Sequence, residues 1–249
     1  MASALNLTWH QYRLERRMFW RNPVAAFFNF VLPLLFLAFF GAVFSANQRN
    51  LDIIVPGIAG MSVMSTTFVA LAFNTTFLRE QGVLKRIRGT PMPESSYLGA
   101  LALSAVTNTV LQIGIVTVAG RFAFGTGWPR DWGALIVFVA LGVACFAALG
   151  VALSHAIPNF ESAAVYVNVI FLPMLFVSGT VYDATKEPLF LRDLADALPL
   201  KHLIDGLSGA MVKGQGLTAN GTALAVLAVW TALAIALAVR GFSWEARRG

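Results

Sequence analysis

Six long apolar runs separated by shorter polar segments set the pattern of this chain. A helix needs about 20 apolar residues to cross a bilayer, and each run reaches or approaches that length. The pattern therefore predicts an all-α membrane protein, with residues 24–249 forming one six-span domain. The predicted spans are Val24–Phe44, Ile53–Phe77, Leu98–Phe122, Trp132–Leu153, Val165–Val181 and Thr222–Val239.

Residues 1–23 form a separate segment that mixes aromatic and apolar residues with arginines. Its charged part is too long, and the following apolar run exceeds the usual length, for a cleaved signal peptide. We predict a retained helix in the membrane interface, with its apolar face among the headgroups and its arginines on lipid phosphate. The alternative is a positively charged tail that only sets topology. The residues that carry this prediction are Trp9, Tyr12, Arg13, Arg16 and Arg17.

The segment Tyr182–Gly221 is longer than an ordinary connection between helices. Its leucines recur at helical spacing on either side of Pro199, and charged residues between Arg192 and Asp205 argue against a seventh span. We predict two short re-entrant or interfacial helices packed on protein before the last span. A solvated outer cap is the alternative.

Composition supports membrane insertion. The chain is 57% hydrophobic and 12% charged, whereas a soluble domain has about 25% charged residues. The lone Cys145 lies in an apolar run and suits packing rather than chemistry. Most of the Lys and Arg residues lie in the two termini and in the loop after the second run, so the positive-inside rule places both termini in the cytoplasm.

The spans exclude several classes of membrane protein. The runs hold no charged residue apart from Arg121, near the end of the third run, and no histidine. Ion-coupled carriers and intramembrane proteases need ionisable groups within their spans, so both classes are disfavoured. No P-loop motif is present, so this chain does not cradle ATP phosphates by that route, and any motor lies on another chain.

The loop after the second run, Arg79 to Pro93, carries the most distinctive pattern. Val83, Leu84 and Ile87 share one edge of a short helix and cations share the other, while Pro91 stops it. Such an amphipathic element predicts a docking site for a partner. The residues predicted to couple this chain to that partner are Arg79, Glu80, Gly82, Leu84, Lys85, Arg86, Arg88 and Pro91.

This loop resembles that of the ABC type 2 permease family, the membrane subunits of ATP-driven exporters. Phe171-Leu172-Pro173 with Ser178-Gly179, and Leu198-Pro199-Leu200 with Asp205-Gly206-Leu207, match later family motifs. The resemblance implies two separate ATPase subunits that hold ATP and Mg²⁺, and a homodimer or a pair with a similar permease. Because the ATPase is then a separate chain, we expect a multi-pass protein of a bacterial plasma membrane. No enzyme activity, cofactor, metal site or nucleic-acid partner is expected on this chain.

Polar residues within the spans are candidates for a substrate path. An uncharged, partly aromatic lining suits a hydrophobic or amphiphilic molecule that is drug-like or lipid-like. The alternative is that these groups only form hydrogen bonds between helices. The path candidates are Ser62, Thr66, Asn108, Gln112, Asn168, Phe171, Leu175 and Ser178.

Two further alternatives stay open at the level of sequence. A permease of the same family could export a glycan or haem rather than a drug or a lipid. A passive channel or receptor-like module would work without nucleotide, so ATP dependence of transport separates it from an exporter.

Overall fold

The computed structural model describes residues 4–44, 48–89, 92–180 and 189–241 of the chain. These residues form helices joined by turns, with no strand in the described ranges. The α-helices are α1 Ala4–Arg21, α2 Pro23–Phe44, α3 Gln48–Met64, α4 Ala70–Glu80, α5 Val83–Arg88, α6 Glu94–Phe124, α7 Trp132–Ala156, α8 Phe160–Val177, α9 Leu189–Ala197, α10 Pro199–Ser208 and α11 Gly221–Gly241. There are also two π-helical segments. The first, Ser65–Val69, joins α3 to α4, and the second, Gly209–Lys213, extends α10.

The prediction of six spans is confirmed, since six helical segments in the described ranges are long and apolar enough to cross a membrane. The second is continuous from Leu51 to Glu80 through α3, the π-helical segment and α4. The fifth begins at Phe160, earlier than predicted, because the side chain of Asn159 caps it by accepting a hydrogen bond from the amide of Ser162 at 2.9 Å. It ends at Val177, and Gly179 follows with a φ of 69°.

The second span forms the centre of the bundle. In its apolar window 78% of residues are buried, compared with 22% for the first span and 17% for the fifth. It packs against α6, α7 and α10, while α7 and α11 form the most extensive interface between helices. The first and fifth spans therefore leave most of their side chains facing out of the single chain.

Helix α10 packs deep within the spans. Leu200, Leu203 and Leu207 are fully buried, which confirms the apolar face predicted from their spacing. A Cβ atom on Gly206 would lie 2.3 Å from the ring of Phe138, so α10 reaches its neighbour α7 closely because that position has no side chain. That α9 and α10 enter the bilayer stays a prediction.

Helix α1 turns polar side chains toward the bundle. Gln11 and Glu15 are buried, Tyr12 Oη lies 3.1 Å from Thr107 Oγ1, and Arg16 donates a hydrogen bond to Asn108 Oδ1. Apolar residues of the same helix face outward, with Trp9 55% exposed. The helix is therefore fixed to α6 by hydrogen bonds and presents its apolar residues to the surroundings, an arrangement suited to a lipid environment.

Gly150 provides a test of how closely the central helices pack. A Cβ atom there would lie 2.5 Å from the backbone oxygen of Phe68 in the first π-helical segment, so we expect Gly150→Ala to lower the free energy of unfolding by about 1–3 kcal/mol. Gly114 of α6 is the matched control, because a Cβ there meets nothing within 4 Å. Gly114→Ala should stabilise the protein by up to about 1 kcal/mol. Thermal unfolding in detergent measures both, and equal effects would contradict this packing.

Candidate functional site

The predicted short amphipathic helix is present as α5, after α4 ends. Gly82 separates the two helices with a φ of 67°, a conformation that glycine adopts without strain. Leu84 is fully buried against a cluster that includes Tyr97 and Leu101, whereas Lys85 and Arg86 are exposed. The helix ends at Arg88, whose side chain lies outside the described residues, as does Pro91. The apolar edge of α5 thus packs on the bundle and leaves Lys85 and Arg86 available to a partner.

Arg79, in the last turn of α4, contacts the end of the fourth span. Its side chain is only 3% exposed. Its guanidinium donates hydrogen bonds to the backbone oxygens of Ser154, at 2.8 Å, and Ile157, at 2.5 Å. These carbonyls belong to the C-terminal end of α7, where a helix leaves acceptors unpaired and carries partial negative charge. Arg79 therefore caps α7 instead of pointing out toward a partner.

Glu80, the next residue, contacts the start of the fifth span. Its Oε2 accepts a hydrogen bond from the backbone N–H of Phe160 at 2.6 Å. Phe160 is the first residue of α8, where amide donors are unpaired and the helix carries partial positive charge. A carboxylate is favourable there for the same reason that a guanidinium is favourable at the end of α7.

We call Arg79 and Glu80 together the helix-end clamp. The two residues join the last turn of α4 to the ends of two different spans. The positive Arg79 meets the negative end of α7, and the negative Glu80 meets the positive end of α8. Because α5 follows α4 after a single glycine turn, a displacement of α5 would act directly on the clamp. The clamp thus connects a surface helix to α7 and α8 through short, charge-assisted bonds.

Several predicted path residues form hydrogen bonds between helices. Gln112 Nε2 donates to the backbone oxygen of Asn29 at 2.5 Å, which joins α6 to α2. Thr66 Oγ1 lies 2.9 Å from Thr109 Oγ1, which joins the first π-helical segment to α6. Asn108 accepts from Arg16 as described above. These contacts favour the alternative in which the polar groups of α6 hold helices together.

The remaining predicted path residues are dispersed. Ser62 is buried and donates to the backbone oxygen of Ile58 at 2.7 Å within its own helix. Ser178 is buried after the end of α8, and Asn168 is exposed on the outer face of α8. Phe171 and Leu175 are half-buried on α8 and line a cavity.

That apolar cavity has a volume of about 510 Å³ and lies between α2, the second span and α8. Aromatic residues of α2 and α8 supply much of its wall, and Asn29 and Ser65 are among its few polar residues. Its lining includes Phe28, Phe36, Phe40, Met61, Phe171 and Leu175. A cavity of this size and lining suits a hydrophobic ligand.

A second cavity of about 520 Å³ lies toward the end of the bundle where α1 is found; its lining is mixed but richer in polar groups than the first, and we call it the polar cavity. Glu15, Asn74, Ser104 and Asn108 line it, together with apolar residues of α1, α4 and α6. Asn29 and Ala70 line both cavities, so the two are adjacent. The first π-helical segment lies at their junction, since Ser65 and Val69 face the apolar cavity and Thr66 faces the polar one.

Sequence reasoning placed neither Glu15 nor Asn74 at a site. Glu15 lies in an arginine-rich segment and has no distinctive spacing, although it is a lone acid within α1. Asn74 lies near the end of an apolar run and has no distinctive spacing. Of the residues predicted for an interfacial role, Arg13 and Arg17 are exposed, whereas Arg16 turns inward.

Comparison with known proteins gives a consistent result. The family model described as "ABC-2 type transporter" matches residues 7–212 of the chain. Nodulation protein J of Rhizobium leguminosarum bv. viciae is 24% identical over 216 residues, which cover 83% of each chain. The daunorubicin resistance ABC transporter permease protein DrrB1 of Streptomyces coeruleorubidus is 25% identical over 249 residues, covering 92% of this chain and 86% of the relative. Nodulation protein J of Sinorhizobium fredii is 31% identical over 134 residues, about half of each chain (53% and 50%).

The helix-end clamp predicts a graded set of stability effects. Arg79→Ala leaves two carbonyls without their charged donor and should cost about 1.5–3 kcal/mol for each bond. Glu80→Ala removes a capping acceptor and should cost about 1 kcal/mol, while Glu80→Gln keeps an oxygen acceptor and should cost less. Thermal unfolding measures the order, and hydrogen exchange should speed up selectively at the amide of Phe160 in the Glu80 variants. Arg86→Ala, at an exposed neighbour, is the control, and equal destabilisation by all four variants would argue against the clamp.

Proposed function

Because the chain belongs to the ABC-2 type transporter family, we propose that this multi-pass membrane protein is the permease subunit of an ATP-driven exporter. Two separate ATPase subunits would bind ATP and Mg²⁺ and would dock on α5. The observation that carries the proposal is the arrangement of α5 and the helix-end clamp. The surface helix α5 carries exposed cations and is anchored by Leu84. The two-residue turn Gln81–Gly82 connects it to Arg79 and Glu80, which contact two spans.

Coupling would then proceed by mechanical linkage. An ATPase that pulls on Lys85 and Arg86 would shift α5, and α5 would shift the last turn of α4. The clamp would pass that shift to the ends of α7 and α8, and α8 carries Phe171 and Leu175 into the apolar cavity. The chain itself would contribute no covalent chemistry.

A hydrophobic or amphiphilic cargo, drug-like or lipid-like, is the substrate class that we propose. The apolar cavity supports it because its walls offer aromatic and aliphatic contact with few polar groups. A glycan exporter is the alternative within the family and would need a path lined by many hydrogen-bonding groups. Competition between hydrophobic compounds and sugars for stimulation of the ATPase would separate the two.

Membrane orientation and assembly complete the proposal. We propose a bacterial plasma membrane with both termini in the cytoplasm, since an even number of spans brings both termini and α5, all rich in Lys and Arg, to one side. We also propose a second permease copy or a similar chain beside the first. The outward face of α8 supports this, because Val165, Val169 and Phe176 are each about two-thirds exposed (63–66%) in the single chain.

The docking proposal predicts a strong effect of charge reversal on α5. Lys85→Glu with Arg86→Glu should weaken association with the proposed partner ATPase by at least about 100-fold, because each charge-assisted contact contributes about 1.5–3 kcal/mol. Association is measured between the purified ATPase and the permease in nanodiscs, and stimulated ATP hydrolysis is measured in parallel. Lys213→Glu, at an exposed cation elsewhere, is the control. Unchanged association in the double variant, with unchanged stimulation, would refute docking on α5.

A set of single cysteines in a Cys145→Ala background tests orientation and assembly together. An impermeant thiol reagent added to intact cells should label Lys213→Cys and spare Lys85→Cys, and the reverse pattern would invert the topology. Phe176→Cys, on the exposed face of α8, should cross-link two copies in the membrane. Ile136→Cys, which is also exposed but on α7, is the matched position. Cross-linking at Ile136 and not at Phe176 would place the interface on another helix.

A further inference from the structure

We propose that the polar cavity binds the ammonium headgroup of an amphiphile whose hydrocarbon chain lies in the adjoining apolar cavity. The inference rests on the proposed export function and names the chemistry of the cargo more narrowly. It depends on three features of the structure, namely a buried carboxylate, uncommitted hydrogen-bonding groups beside it, and the shared wall of the two cavities.

Glu15 is the charged residue in the lining of the polar cavity. Its side chain is only 8% exposed, and it accepts a hydrogen bond from Gln11 Nε2 at 2.9 Å. No Lys or Arg in the described ranges forms an ion pair with it. A buried carboxylate without a counter-charge is costly, and a bound cation would supply one. Burial raises the pKa of Glu15, and the Gln11 hydrogen bond opposes the rise. A raised pKa is the shift expected of a carboxyl group that is buried without a counter-charge.

Two neighbouring groups have hydrogen-bonding capacity to spare. Asn74 and Ser104 line the same cavity and are half-buried, and neither has a hydrogen-bond partner among the described residues. A primary ammonium carries three donors. Glu15, the amide oxygen of Asn74 and the hydroxyl of Ser104 could accept all three, whereas a hydroxyl headgroup carries one donor and no charge.

The arginines of α1 do not reverse this preference. Arg13 and Arg17 are exposed, and none of the arginines lines the polar cavity. Arg16 is committed to Asn108, and its guanidinium carbon lies 5.6 Å from the ring centre of Phe19 and 5.8 Å from that of Trp20. The lining therefore presents a negative group and neutral acceptors to a ligand, and Arg16, the cation beside it, is held by Asn108 and two aromatic rings.

The apolar cavity provides room for the rest of the molecule. Asn29 and Ala70 lie in the walls of both cavities, so a ligand held at Glu15 can extend its chain past them toward Phe36 and Phe171. The two volumes, about 520 and 510 Å³, are each of the size that holds part of an amphiphile. The carboxylate thus lies at one end of the combined site and the apolar walls lie at the other, which matches the charged head and hydrocarbon chain of an amphiphile.

Paired probes of equal chain length test this inference. Tritiated tetradecylamine and tetradecanol are bound to the purified full chain in phosphatidylcholine nanodiscs, and the signal from empty nanodiscs is subtracted. The wild-type chain should prefer the amine, and Glu15→Gln should reduce the preference by about tenfold or more because a charge-assisted contact is lost. Asn74→Leu should reduce it by a smaller factor. Glu161→Gln, at an exposed carboxylate of α8, is the matched control and should keep the wild-type preference.

Two outcomes would overturn the inference. One is a wild-type chain that binds the two probes equally, and the other is an amine preference that persists in both Glu15→Gln and Asn74→Leu. If Glu15→Gln does not fold, the Asn74→Leu ratio decides alone. The export proposal is judged separately by ATPase association with the wild-type chain, which involves neither probe, so association without amine preference rejects only the headgroup site.

Discussion

Two adjacent residues of opposite charge determine how the ends of the second, fourth and fifth spans meet. Arg79 and Glu80 lie in the last turn of α4. The Arg79 side chain bonds to the C-terminal end of α7, and the Glu80 side chain bonds to the N-terminal end of α8. The carbonyls at the end of α7 are costly to leave unpaired because Arg79 and Ser154 are buried, whereas the exposed start of α8 takes Glu80 as a second cap beside Asn159. The position of α5 follows, because only a glycine turn separates it from the clamp.

Elsewhere in the bundle, hydrogen bonds from side chains hold neighbouring helices together. Helices in an apolar surrounding gain little from excluding water, so polar contacts between them determine which faces meet. Here α6 receives α1 through Tyr12 and Arg16 and reaches α2 through Gln112. Glycines then allow the close approaches, as at Gly150 and Gly206. The same polar contacts leave Glu15 enclosed without a counter-charge, and the candidate headgroup site arises from that packing.

Sequence predicted local features well and long-range contacts poorly. Hydrophobic length defined the six spans, and periodicity found α5 and the buried face of α10, because both depend only on neighbouring residues. The clamp escaped prediction because Glu80 and Phe160 are 80 positions apart and the loop before Phe160 carries no charge pattern that points back. Asn108 and Gln112 stood out in the sequence as polar residues within a span, but their partners did not. The first π-helical segment left no signal, since its residues lie within one continuous apolar run and carry no Pro or Gly.

That π-helical segment fixes the rotational phase of everything below it in the second span. A π-helical turn accommodates one residue more than an α-helical turn. If Ser65–Val69 formed regular α-helical turns with the same number of residues, α4 would be rotated by roughly 100° relative to α3, given 3.6 residues per turn. Arg79 and Glu80 would then point away from the helix ends that they cap, and Thr66 and Ala70 would leave the junction of the cavities. The π-helical turn thus keeps the two cavities and the helix-end clamp in register. Deleting one residue within it would restore a regular α-helix with α4 in nearly the same orientation, so a one-residue deletion should be tolerated better there than elsewhere in the span.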